Sequence, residues 1–111
     1  MAVDNTEVID MIAENEEDNE LVLGISDHLD WKNEYEHLML LQEKINTYLT
    51  FIETKQYNEV YPDKKYKSHL IHIYFAYNIP DNCKKFLNYA LNDANKQMAP
   101  AVLRIIAEIR E

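Results

Sequence analysis

The chain has 111 residues, a mass of 13.2 kDa, 47% hydrophobic and 28% charged side chains, and a formal net charge of −9. That composition describes one globular domain over residues 1–111, large enough to bury a core unaided, and neither a disordered nor a membrane-spanning chain. One cysteine (Cys83) excludes an intrachain disulfide or a cysteine zinc cluster, one glycine (Gly24) excludes phosphate-cradling loops, and the acidic balance argues against nucleic acid as a partner.

The negative charge sits at one end. Residues 1–36 hold twelve acids (Asp4, Glu7, Asp10, Glu14, Glu16, Glu17, Asp18, Glu20, Asp27, Asp30, Glu34 and Glu36) against the one base Lys32, while residues 37–111 hold eight acids and ten bases. One surface is therefore expected to be strongly negative and able to steer a basic partner. The start of the chain is acidic, without the basic and then apolar run of a secretory signal, and the apolar stretches fall far short of about 20 residues. A cytoplasmic location is expected.

Glu7–Glu14 and Glu20–Ser26 are short apolar runs separated by the turn-forming stretch Asn15–Asn19, which predicts a β-hairpin. Leu21, Leu23 and Ile25 share a face of its second strand. From Leu38 the period changes: Leu38, Leu41, Ile45, Tyr48, Leu49 and Ile52 line one side of a helix, with Glu43, Lys44, Asn46, Thr47 and Glu53 on the other. Asn33 is the expected N-cap, with Glu36 three residues on, for a helix from about Glu34 to Thr54. Pro62 closes an irregular connection, and the basic run Lys64, Lys65 and Lys67 reads as a solvated loop.

Lys67–Tyr77 returns to period two, with Ile71, Ile73 and Phe75 on one face and Leu70, His72, Tyr74 and Ala76 on the other. Pro80 suits a first helical turn, after which Cys83, Phe86, Leu87, Ala90, Leu91, Ala94 and Met98 form an amphipathic stripe that ends at Pro100. Leu103, Ile105, Ala107 and Ile109 alternate in a last strand. The order is ββαβαβ. The expected fold is α+β: a single four-stranded sheet with both amphipathic helices on one face.

The segment Ile25-Ser26-Asp27-His28-Leu29-Asp30-Trp31 is followed by Glu36-His37-Leu38, by Leu40-Leu41-Gln42-Glu43-Lys44-Ile45-Asn46, and by Tyr48-Leu49 and Phe51-Ile52-Glu53. Together these resemble a family of short bacterial proteins of unknown function, from the first hairpin through Tyr61-Pro62. The later strand and helix match in pattern. The resemblance implies no activity, and it sets Lys55 where relatives often carry glycine after the first helix.

Asp27, His28, Asp30, Trp31 and His37 form the candidate functional cluster. Carboxylate with imidazole can bind a divalent metal or move a proton, with His37 and Asp27 swinging in to complete a ligand set. The structural reading is stronger: Asp27 and Asp30 as turn and cap residues, His28 bonded to a carbonyl, and Trp31 as a lid with its indole N–H satisfied at the rim. His69 and His72 face opposite sides of their strand and cannot share a ligand. The eight tyrosines are spread along the chain and suit core edges or protein interfaces. No metal or cofactor is expected.

Two functions remain open on the sequence. The favoured one is a non-catalytic protein-binding module whose acidic third engages a basic protein, immunity- or antitoxin-like by analogy only. The alternative is a small metal-dependent or hydrolytic enzyme using Asp27, His28, Asp30 and His37. The sheet face away from the helices, bearing Leu70, His72, Tyr74, Val102, Arg104 and Ile106, is the candidate interface for a partner or a homodimer.

Overall fold

Where the hydrophobic period changes along the chain, the element type changes with it. The computed structural model describes residues 2–97 and 102–110, with only the backbone given for Gln97 and Val102. In chain order it contains β1 (Met11–Asn15), β2 (Glu20–Asp27), α1 (Glu34–Glu53), a short 3-10 turn at Gln56–Glu59, β3 (Ser68–Phe75), α2 (Asp81–Gln97) and β4 (Val102–Ile109). Met98 and Pro100, expected to end the second stripe, lie outside the described residues.

The sheet order is β1-β2-β3-β4, with β1 antiparallel to β2 and the other neighbours parallel. The hairpin begins later than its sequence suggested, at Met11 rather than Glu7. Its turn closes on Asn19, at φ 51 one of the residue types that best tolerate the left-handed region. Gly24 lies opposite Met11, whose side chain fills the space a Cβ would claim.

Both crossovers advance the same way across the sheet, so right-handed connections put both helices on one face. Leu21, Leu23 and Ile25 meet Ile71, Ile73, Phe75 and Leu103 on that face, under Leu41, Ile45, Tyr48 and Ile52 of α1 and Cys83, Leu87 and Ala94 of α2. These residues are the core.

The N-terminus of α1 is built as expected: the Asn33 carbonyl oxygen Oδ1 accepts from the Glu36 amide at 3.2 Å, while Asn33 Nδ2 donates to Glu36 Oε2 at 2.9 Å. Its buried stripe is His37, Leu41, Lys44, Ile45, Tyr48 and Ile52, with Leu38 and Leu49 only half-buried on its flank. Lys44 was expected on the polar side and is instead fully buried, because the segment before β1 folds over the helix. There the Lys44 ammonium meets the Asn5 and Val8 carbonyls and the Asp10 carboxylate. Beyond the Thr54 cap, Lys55 takes the left-handed conformation at φ 58 that glycine would adopt without strain.

Candidate functional site

The carboxyl ends of β2 and β3 and the start of α1 converge on one place, and the sequence puts Asp27, Trp31 and His37 there. Asp27 is the last residue of β2, and the odd-position face that carries Leu21, Leu23 and Ile25 also carries its side chain inward. One turn into α1, His37 lies four residues before Leu41 on the buried stripe. The two meet: His37 Nε2 lies 2.8 Å and 2.6 Å from the Asp27 carboxylate oxygens, with both residues at 2% exposure or less.

The other ring nitrogen, Nδ1, is 2.9 Å from the Asp30 carbonyl oxygen. A carbonyl can only accept, so Nδ1 carries a proton. A single proton then lies between Nε2 and Asp27, on one or the other. Burial pushes the Asp27 carboxyl above its ordinary value, outweighing the His37 hydrogen bond and charge that pull it down. The Trp31 ring stacks on His37 with centroids 3.6 Å apart and an interplanar angle of 12°, closing the pair from one side.

The turn roles expected of the aspartates hold. Asp27 Oδ1 accepts from the Leu29 amide at 3.2 Å, and Asp30 Oδ1 accepts from the Lys32 amide at 3.1 Å. Two expectations need correction. His28 does not join the cluster: it is exposed, with its ring 3.9 Å from the Asp4 carboxylate, because strand pairing ends at Asp27 and the next side chain turns outward. The Trp31 indole N–H is not satisfied at the rim; it is buried and has no hydrogen-bond partner among the described residues, its ring orientation being set by the stack on His37.

Among the described residues, no three His, Cys, Asp or Glu side chains gather in a way that could hold a metal ion. Cys83 is buried, and burial, with smaller contributions from Asp27 and Glu34, pushes its thiol up to about 12. It is a packed thiol and not a ready nucleophile. What the pair can do chemically is hold one proton in a dry place and tie β2 to α1.

Beside the pair opens a cleft of about 370 Å³, whose walls include Asp4, Asp30, Glu36 and the edge of His37, with Lys32, and whose apolar surface comes from Leu29 and Leu40. Sequence reasoning missed Asp4, Leu29, Lys32, Asn33, Glu36 and Leu40 as members of this site. The capping box at Asn33 and Glu36 was the available signal, because it fixes which side of the first turn Glu36 occupies.

The opposite sheet face largely covers itself. Leu70 is buried there, His72 stacks on Tyr74 at 4.2 Å, and the Arg110 guanidinium lies 4.1 Å over the Tyr74 ring. Arg104, expected as an open interface residue, is drawn across the face to Glu20, its Nη2 donating at 2.7 Å. Burial raises Glu20, but hydrogen bonds from Arg104 and Ser68 and the Arg104 charge leave its carboxyl below the ordinary range. Ile106 remains exposed, and the side chain of Val102 lies outside the described residues.

No helix among the described residues is long and apolar enough to cross a membrane. The family model that matches the chain, over residues 1–107, is described as a family of unknown function, DUF6572. No curated protein and no solved structure matches.

Proposed function

The chain belongs to this family of unknown function, and from its geometry we propose a non-catalytic protein-binding module that receives a basic side chain of a protein partner in the acidic cleft. The observation that carries the reading is the cleft's composition: three carboxylates, Asp4, Asp30 and Glu36, around apolar Leu29 and Leu40, with Lys32 the one lysine or arginine among the described lining residues. A lysine or arginine presents that combination in reverse, an apolar stem ending in a cation. The reading sets the protein in the cytoplasm.

The enclosed Asp27–His37 pair supports binding over catalysis. Acid–base or metal-assisted chemistry there draws only on His37 reaching the cleft wall, and a substrate would have to reach a nitrogen already held by both carboxylate oxygens.

Titrating the labelled chain with a short arginine-rich peptide, followed by backbone NMR, tests the proposal. Shifts should centre on residues 29–40, fade at about 0.5 M salt, where surface charges are screened, and weaken in Asp30→Asn and Glu36→Gln. No shifts, or shifts indifferent to salt and to both substitutions, would overturn it.

A further inference from the structure

Strand β4 is an edge of the sheet. Successive residues of a strand direct their backbone N–H and C=O to opposite sides. The Arg110 amide donates inward to the Phe75 carbonyl at 2.7 Å, so the even-numbered residues of β4 address β3 and residues 103, 105, 107 and 109 point outward. The outward groups of Leu103 are taken: its N–H donates to Asn95 Oδ1 at 2.8 Å and its C=O accepts from Asn95 Nδ2 at 3.1 Å. A side-chain amide thus stands in for a neighbouring strand and closes the start of the edge. For the outward groups of Ile105, Ala107 and Ile109, the described residues supply no such partner. Beside them, a groove of about 290 Å³ between α2 and the edge is lined by Ile79, Leu87, Leu91, Ile105 and Ala107.

We propose that this edge pairs antiparallel with the same edge of a second copy, about a two-fold axis through Ile106. The charge sequence of the strand argues for a second copy as occupant. With the axis at Ile106, Arg104 faces Glu108 of the other chain, and the reverse, while Ile106 faces its own counterpart. An axis at Arg104 or at Glu108 would oppose like residues, and one at Ala107 would set Arg104 against Arg110; like charges directly opposite destabilise a pair and opposite charges support it. An axis at Ile105 leaves both charges facing apolar residues. Arg104 uses Nε and Nη2 on Glu20, which leaves Nη1 for the second copy.

In this arrangement Ile105 exchanges both backbone hydrogen bonds with Ala107 of the other chain, and Ala107 with its Ile105. The helix-side faces of these residues enter each other's groove. Asn95 ends the ladder, because the second strand must leave by its Ile109. A closed two-fold dimer also removes an edge that would otherwise remain open to unrelated strands.

Light scattering and sedimentation of the full chain over a concentration series test the pairing, together with Ile106→Cys under mild oxidation. Residues opposite each other in a non-hydrogen-bonded pair have Cα atoms roughly 4.5 Å apart, within disulfide reach. A covalent dimer is expected from Ile106→Cys and not from Ile109→Cys, with the buried Cys83 silent in both. Ala107→Pro deletes an outward N–H only, so the fold should persist by circular dichroism while the dimer dissociates. Glu108→Arg should raise the dimer dissociation constant about ten-fold. A chain that stays monomeric at about 1 mM, or a dimer that neither substitution weakens and that Ile106→Cys does not trap, would overturn the proposal. So would a dimer that yields to Tyr74→Glu instead, which would place contact on the sheet face. Should Ala107→Pro fail to fold, the crosslinking pair decides alone.

Discussion

Lys44 Nζ lies 2.7 Å from Asp10 Oδ1, with the lysine side chain shut off from solvent and Asp10 nearly so. Its other two donors reach the Asn5 carbonyl at 2.7 Å and the Val8 carbonyl at 2.5 Å, so all three ammonium hydrogens are placed. Asp10 Oδ2 accepts in turn from the Ser26 amide at 3.1 Å, which carries the network from α1 to β2. Lys44→Met keeps the length and removes the charge, leaving the buried Asp10 carboxylate with the Ser26 amide but no countercharge, and the Asn5 and Val8 carbonyls without the ammonium donor. The expected cost is about 3–5 kcal/mol by urea unfolding, with part of it recovered in the Lys44→Met/Asp10→Asn double variant. Amide exchange over residues 5–10 should accelerate in the single variant.

His37→Leu strands Asp27 as a buried, unpaired carboxylate and should cost about 3–5 kcal/mol. Asp27→Asn should cost less, about 1–2 kcal/mol, because an amide N–H can donate to Nε2 of the neutral ring. Unfolding free energies of the two single variants and the double variant should therefore be non-additive by about 1 kcal/mol or more. Trp31 is the only tryptophan and stacks on His37. Its emission should change in His37→Leu and stay close to the parent in Asp27→Asn.

Burial holds His69 below its ordinary value of 6.5, against the pull of Glu20, and its ring packs beside the touching pair Tyr57 and Tyr66, with no hydrogen-bond partner for Nδ1 among the described residues. A depressed histidine means that the unfolded chain binds the extra proton first. Stability is thus full above about 6.5 and is lost as pH falls through the folded-state value, by at most about 1.4 kcal/mol per pH unit. His69→Phe removes this loss. The stability difference between the two proteins, measured from pH 7 to pH 5, should therefore narrow or reverse as pH falls; Asp27, whose raised carboxyl acts in the opposite sense, contributes equally to both. A second loss in both proteins begins below 4.5, where Glu20 must be protonated against Arg104 and Ser68.

Lys55 holds φ 58 just beyond the α1 cap, and its amide donates to the Ile52 carbonyl at 3.2 Å. A side chain in that conformation is strained and glycine is not, so Lys55→Gly should stabilise the protein by about 0.5–1 kcal/mol, the strain relief being partly offset by glycine's freedom in the unfolded chain. A thermal melt shows the gain directly.

The element order was legible because each switch of period is abrupt: alternation through Leu21, Leu23 and Ile25, three- and four-residue steps from Leu41 to Ile52, alternation again through Ile71, Ile73 and Phe75. The Asn33 cap gave the start of α1 because the chemistry of a cap is local. The buried lysine was not legible in the same way. Lys44 stands three residues after Leu41 and four before Tyr48, on the stripe by spacing, but its charge argued for solvent, and only the segment folded over it supplies the carbonyls that satisfy it. The Asp27–His37 contact spans ten residues across a turn whose path the sequence does not set, so the two were named as members of a cluster without being paired. Strand direction followed the same limit. The hairpin announces itself by its turn, whereas parallel pairing of β3 and β4 depends on where the helices return the chain.

That last arrangement sets the order in which the molecule can assemble. Only β1 and β2 pair through a short turn; Glu20 meets Ser68 and Ser68 meets Val102 only after each intervening helix has brought the chain back. Closing those long loops costs chain entropy before any ladder bond repays it, so the hairpin and α1 are placed to form early and β4 to dock last. Refolding should be slow for a chain of this size, and substitutions in β4 should chiefly hasten unfolding while those in α1 and β2 slow folding.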